Sequence, residues 1–305
     1  MKLNSFSLHP KRHGIISAVF LVIAFSAQSA EAEKESTLDL GADVKLACVS
    51  IQPGAFKQGS PPTETGRNAD ETQHDVRIAH AFLMSKYLVT VVQFARFISE
   101  SQYRTEAETG PSGGFGFDGK ELIQKKEYTW RNPGFKQTDA HPVVLVSWND
   151  AVAFCNWLAK KSGRKVMLPT EAQWEYACRA GTEARFYNGG TDSDAEEIAW
   201  FKKNAEGATH PVGAKKPNEF GLFDMCGGVY QWCRDQYQPY KEEPGTEAAV
   251  DDPVVEKSDD KIRRVLRGGS FLKDARNCRS AARYRNDPRS RNADNGFRIV
   301  IELGE

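Results

Sequence analysis

Leu168-Pro169-Thr170-Glu171-Ala172-Gln173-Trp174-Glu175-Tyr176-Ala177-Cys178-Arg179-Ala180-Gly181-Thr182 is the stretch from which the rest of the chain can be read. Pro169 and Thr170 open a helix, and Thr170 with Gln173 has the reciprocal spacing of a capping box. Trp174, Ala177 and Cys178 fall on one face at helical spacing, and Gly181 supplies a stop. Two more helices are written the same way. Thr90 caps a helix through Glu100, with Val91, Phe94, Ala95 and Ile98 on one side. Asp150 to Lys161 turns Ala151, Phe154, Cys155 and Leu158 inward and stops at Gly163.

Between these helices the chain reads as short strands and loops. Cys48 to Gly54 opens as a strand, and His74 to Ile78 alternates, continuing through Phe82-Leu83-Met84. The 25 glycines and 14 prolines are those of a loop-rich chain rather than a helical bundle. Strands and helices do not alternate as βαβ units, so the fold class is α+β. No long linker divides it. One domain spans 51–305, preceded by a polar lead-in over 33–50.

The N-terminus reads as an export signal over 1–32. Lys2, Lys11, Arg12 and His13 precede an apolar stretch from Ile15 to Ala27, and Ala30-Glu31-Ala32 suits cleavage. The alternative is an uncleaved anchor. Cleavage implies a periplasmic or secreted protein with no membrane span afterwards. In an oxidising compartment the six cysteines favour at least one disulfide. Zinc is not suggested, since no Cys-x-x-Cys pair is present and the six histidines are scattered. The 41 basic and 41 acidic side chains balance, which argues against a nucleic-acid partner.

Four blocks in order carry a resemblance. They are Pro142 to Leu158, Leu168 to Thr182, His210 to Cys233 with Pro217-Asn218-Glu219-Phe220-Gly221-Leu222-Phe223-Asp224-Met225, and Arg264 to Phe271 closed by Gly296-Phe297-Arg298. Together they resemble the formylglycine-generating enzyme (sulfatase-modifying factor) family from about Pro53 onward. The resemblance implies a single-domain, C-type-lectin-like variant fold with few helices, bound calcium, and a peptide, protein or peptide-derived small molecule as partner. The best-known members oxidise a sulfatase cysteine to formylglycine with copper held by two thiolates, soft ligands suited to Cu(I). Here Lys273 stands where the first of those cysteines would be, and at most Cys278 remains.

The resemblance further implies a Cys178–Cys278 disulfide, with Cys233 as another partner or a free Cys278 as alternatives. Ile299 fills the place of a second disulfide's cysteine, leaving Cys155 free and buried. Calcium would be held by Asp224 and Gln231 side chains and by the Gly227 and Val229 carbonyls, oxygen ligands of the kind a hard cation takes. Gln231 replaces the usual Glu; the alternative is a turn held by hydrogen bonds alone. Pocket positions are Ser270, beside the reacting centre, and Asp294, a proton acceptor or metal ligand, or else a turn cap. Arg283 is the cleft candidate of an arginine-rich end whose other members pair with the acidic stretch around Asp251, Asp252 and Glu256.

Three functions follow. The first is an exported oxidoreductase of the family that does not use the two-thiolate copper mechanism, its redox metal unidentified. One exported branch lacking those cysteines matures the chromophore of pyoverdine siderophores by oxidation. The second is a calcium-stabilised lectin-like binding or scaffold module without catalysis. The third is a genuine sulfatase-modifying formylglycine generator.

Overall fold

The computed structural model describes Met1, 35–240, 250–251 and 262–303. The chain divides into two units, Met1–Ala32 and Glu33–Glu305. The export segment lies outside the described residues, as do Asp252, Glu256 and nearly all of the acidic stretch.

The helices form where their caps place them. Helix α1 (Val91–Ser101) starts at Thr90 with Gln93 completing the capping box, and ends on Gln102 in the left-handed region. Helix α2 (Trp148–Ser162) begins earlier than the sequence reading, because Ser147 and Asp150 form its box. Helix α3 (Glu171–Arg179) has the Thr170–Gln173 box, but Ala180 rather than Gly181 takes the left-handed cap, at φ 47°.

A five-stranded antiparallel sheet runs in the order Glu35–Gly41, Val44–Ile51, Phe82–Ser85, Val300–Glu302, Val166–Met167. The polar lead-in over 33–50 is therefore corrected: most of it is the first hairpin of the domain. Its alternation sends Leu38, Leu40, Leu46 and Cys48 into the core while the residues between face outward. A four-stranded sheet, ordered Arg283–Asn286, Arg264–Arg267, Tyr230–Gln236, Asn295–Gly296, carries parts of the third and fourth segments quoted for the resemblance. Few helices and several small sheets make the α+β class. One core packs Phe94, Phe154, Trp232 and Phe297, with Phe94 and Phe154 stacked at 6.1 Å. The other packs α3 through Trp174, Ala177 and Cys178 against Val76, Ile78 and Met84.

Helix α3 also buries charge. Glu171 and Glu175 are 5% and 0% exposed. The Arg283 guanidinium donates to both Glu171 oxygens at 2.8 and 2.9 Å, and Arg267 bridges Glu171 and Glu175. Arg179 donates to Glu175 at 3.0 Å and to the Gly59 carbonyl at 2.7 Å. Beside them Arg279 donates to both Glu71 oxygens and to Glu64. The arginine-rich segment does form internal ion pairs, yet these described partners come from Glu64, Glu71, Glu171 and Glu175. Burial pushes the Glu171 carboxyl up, but Arg283 and Arg267 outweigh it and hold it below the usual range. A depressed carboxyl contributes stability above its ordinary pKa and loses it as pH falls through the folded value.

Arg267→Met should destabilise by about 3–5 kcal/mol in urea unfolding at neutral pH, because it removes the cation shared by two buried carboxylates and leaves Glu171 to Arg283 and Glu175 to Arg179. The loss should shrink under acid, as pH falls through the depressed folded value of Glu171. A loss below about 1 kcal/mol at neutral pH would remove the network from the account of stability.

Candidate functional site

The strand Arg264–Arg267 runs into Gly268 and Gly269, at φ 91° and 74°. A Cβ on Gly268 would stand 2.8 Å from the Met225 carbonyl, and one on Gly269 2.7 Å from the Cys278 sulfur. Only glycine fits this turn. It is sewn to the facing loop by Gly227 N–H to Gly268 O at 2.7 Å and Phe271 N–H to Gly228 O at 2.8 Å. The turn delivers Ser270, fully buried, whose hydroxyl donates to Asp294 Oδ2 at 2.9 Å. Two residues on, Leu272 N–H donates back to Ser270 Oγ at 3.4 Å.

Asp294 precedes the short strand Asn295–Gly296 and is 3% exposed. Burial pushes its carboxyl above the usual range, with the Ser270 bond and the Lys273 charge opposing. Its carbonyl accepts from Tyr230 N–H at 2.8 Å. Burial, then the nearby Asp294, drives the Tyr230 hydroxyl up, so it stays protonated at neutral pH. The Tyr230 ring stacks at 4.8 Å on Tyr284, which is 42% exposed. Sequence reasoning missed this stack, since nothing in the spacing of Tyr230 and Tyr284 shows that their strands flank Arg264–Arg267.

Cys278 is also at the turn. Burial pushes its thiol up to about 12, opposed by the N–H groups of Ser270 and Gly227. It is a thiol rather than a thiolate at neutral pH. Phe271 packs edge-on to Phe117 and Phe135 at 5.9 and 5.4 Å, with Leu145 in the same cluster. Leu145 is buried with φ 59°, a left-handed conformation held by its N–H to the Asn292 carbonyl at 3.1 Å. Non-glycine residues so held gather at functional sites.

The sequence-derived site residues thus part company. Ser270 and Asp294 come together. Arg283 does not join them, which corrects its reading as a cleft residue: its donors end on Glu171, the Asp70 carbonyl and the Gln238 carbonyl. Tyr237 and Tyr240 lie against its guanidinium at 4.6 and 3.7 Å. The six cysteines are all buried and free. Cys178, read as the partner of Cys278, makes its thiol contact with Cys226 instead.

Among the four calcium positions, the Gln231 side chain is engaged by a buried cation of the protein's own, Arg298. Gln231 Oε1 accepts from Trp174 Nε1 at 2.8 Å and from Arg298 Nε at 2.7 Å, which uses both lone pairs. Gln231 Nε2 donates to the Asp224 carbonyl at 2.8 Å, and Arg298 to the Phe223 carbonyl at 2.7 Å. The Asp224 carboxylate accepts from Gly213 N–H at 2.8 Å; burial pushes it up to about 6, with that bond and Arg298 opposing. The Gln231 oxygen is thus saturated by donors and Asp224 Oδ2 is taken by a backbone N–H, so these two side chains do not fit a calcium ion in this arrangement.

The fold and this turn define an α+β protein built around a Gly-Gly-Ser element. A family model described as the sulfatase-modifying factor enzyme 1-like domain matches residues 41–303. The chain therefore belongs to the sulfatase-modifying factor, or formylglycine-generating enzyme, family. It is 32% identical to the formylglycine-generating enzyme of Thermomonospora curvata, over 85% of this chain and 95% of that one. It is 33% identical to that of Streptomyces coelicolor, over 81% and 84%. Among solved structures, PvdO from Pseudomonas aeruginosa aligns with a TM-score of 0.72 at 28% identity, covering 88% of this chain and 98% of the other.

Adding calcium or a chelator should leave Tm unchanged, as measured by differential scanning fluorimetry. A calcium-dependent rise would return the Asp224–Gln231 turn to the list of cation sites. Asp294 supplies a second expectation. Its carboxyl is raised in the folded state, so its contribution is most favourable below the ordinary aspartate value of about 3.9 and is lost as pH rises through the folded value. Asp294→Asn should therefore gain Tm at neutral pH and gain nothing near pH 3. A variant less stable at neutral pH would show a structural cap instead.

Proposed function

We propose that this chain is an exported oxidoreductase of the family that acts on a peptide or peptide-derived substrate without a two-thiolate copper centre. The observation that carries it is the buried Ser270–Asp294 pair at the family's Gly-Gly-Ser turn, with one protonated thiol, Cys278, beside it. An aspartate made more basic by burial is suited to take a proton as substrate is oxidised. Ser270 holds the acceptor oxygen in place and can relay that proton. In this reading the substrate gives two electrons and two protons, dioxygen is reduced to hydrogen peroxide, and Asp294 accepts the first proton to leave. The substrate must then be electron-rich enough to reduce dioxygen once deprotonated, as a phenol or catechol is. Tyr284, exposed and stacked on Tyr230, offers an aromatic face for it.

A binding module is the second reading. It is favoured by the burial of Ser270 and Asp294, and by 29% identity, over 88% of this chain, to the bovine "Inactive C-alpha-formylglycine-generating enzyme 2". Oxygen uptake by the purified mature protein decides between them. The test substrates are a peptide carrying a phenol or catechol and a sulfatase-derived cysteine peptide. Uptake is expected with the first only, and Asp294→Asn should lower kcat by about 10²-fold or more with KM little changed. Formylglycine made from the cysteine peptide, with or without added copper, overturns the proposal. No uptake with either peptide leaves the binding module.

A further inference from the structure

Cys178 on helix α3 and Cys226, between Met225 and Gly227, bring their sulfurs to 3.8 Å. They lie 48 residues apart in the chain and are 0% and 1% exposed. The Cys178 thiol also donates to Ser280 Oγ at 3.7 Å. The Cys278 sulfur is turned elsewhere, toward Gly269 and the N–H groups of Ser270 and Gly227. We infer that Cys178 and Cys226 are a disulfide site, joined when the chain folds with an oxidant, and that Cys278 remains a free thiol at the Ser270 turn.

Geometry and chemistry agree on this pair. Bonded sulfurs stand about 2 Å apart, so closure asks for a movement of about 2 Å, within reach of side-chain rotation. Burial alone would raise the Cys178 thiol. The contacts with Cys226 and Ser280 and the charges of Arg179 and Arg267 oppose that rise and favour a thiolate in the pair, and the exchange starts from Cys178. Cys178 thiolate attacks oxidised glutathione, forming a mixed disulfide and releasing one glutathione thiolate. Cys226 then loses its proton and attacks the Cys178 sulfur, forming the protein bond and releasing the second glutathione. Two protein thiols are oxidised and one glutathione disulfide is reduced to two thiols.

The bond would fasten α3 to the loop that supports the functional turn, since Gly227 N–H holds Gly268 O and Gly228 O holds Phe271 N–H. It would also change the framework that the family resemblance implies, in which Cys178 is spent on Cys278. Because both sulfurs are buried, the reaction belongs to folding or to an opened state rather than to the closed molecule. The inference stands apart from the oxidoreductase reading and is tested without activity.

The test is refolding of the reduced full-length chain in a glutathione redox buffer, then alkylation under denaturing conditions and non-reducing peptide mapping. A Cys178–Cys226 linked peptide is expected, with Cys48, Cys155, Cys233 and Cys278 alkylated. Cys278→Ser should keep the link and Cys226→Ser should lose it. Reductant should lower the Tm of the oxidised wild-type protein and leave that of Cys226→Ser unmoved. A Cys178–Cys278 link, or alkylation of all six cysteines in folded wild-type protein, overturns the inference. The wild-type map decides even where a variant fails to fold.

Discussion

Glu171 and Glu175, one helical turn apart on α3, are buried carboxylates, and the molecule is arranged so that neither is left alone. Burying an ionised carboxylate without a partner is costly enough to unfold a domain of ordinary stability. Arg267 arrives from the strand Arg264–Arg267, Arg283 from its neighbour Arg283–Asn286, and Arg179 from the end of α3 itself. The paired geometry requires both strands to be in register against the helix. Sliding the Arg283–Asn286 strand by one residue would turn Arg283 to the opposite face and strand Glu171. The ion network therefore acts as a register lock for the sheet that carries the functional turn.

That lock determines where Ser270 can be. Gly268 leaves the strand immediately after Arg267, whose guanidinium is fixed by two carboxylates and by the carbonyls of Ser280 and Ala281. The facing loop is held from the same helix by a neutral route. Trp174 donates to Gln231, and Gln231 donates to the carbonyls of Asp224 and Met225. Both walls of the turn are thus referred to one helix, α3, by side chains on successive positions of its buried face. Site geometry of this kind depends on a rigid support rather than on the loops that form it.

Much of this was legible in the sequence because it is written locally. The cap at Thr90, the capping box at Thr170 and the stop at Gly163 predict helices that the structure contains. The order of the four blocks carries the family, and the lack of βαβ alternation carries the α+β class. The hairpin over 35–51 was read as a lead-in because its exposed positions are strongly polar, and alternation in an edge hairpin is a weak signal beside composition. Arg283 was misplaced for a different reason. Its chain distance from Ser270 is short, but the intervening turn carries it to the next strand, and its carboxylate partner lies 112 residues away. Gln231 was read through the glutamate it replaces. As an amide it both accepts from Arg298 and donates to carbonyls, a bonding pattern a carboxylate cannot make. Long-range pairings of this sort have no spacing rule from which to be predicted.

The same physics that explains the network sets Asp294 apart. Three buried aspartates have carboxyls raised by burial, and two of them hold backbone together. Asp150 caps α2 and accepts from Tyr103 and the N–H of Glu106, while Asp224 accepts from Gly213 N–H. Asp294 has the Ser270 hydroxyl as its side-chain partner, whereas Glu71, Glu171 and Glu175 are each met by arginines. A fold that neutralises other buried carboxylates with arginines leaves this one to a serine, and burial raises its carboxyl. Selection for stability alone would favour asparagine there, which keeps the hydrogen bond and loses the desolvation penalty. The position of that carboxyl at the Gly-Gly-Ser turn, as well as its burial, is what sets it apart from Asp150 and Asp224.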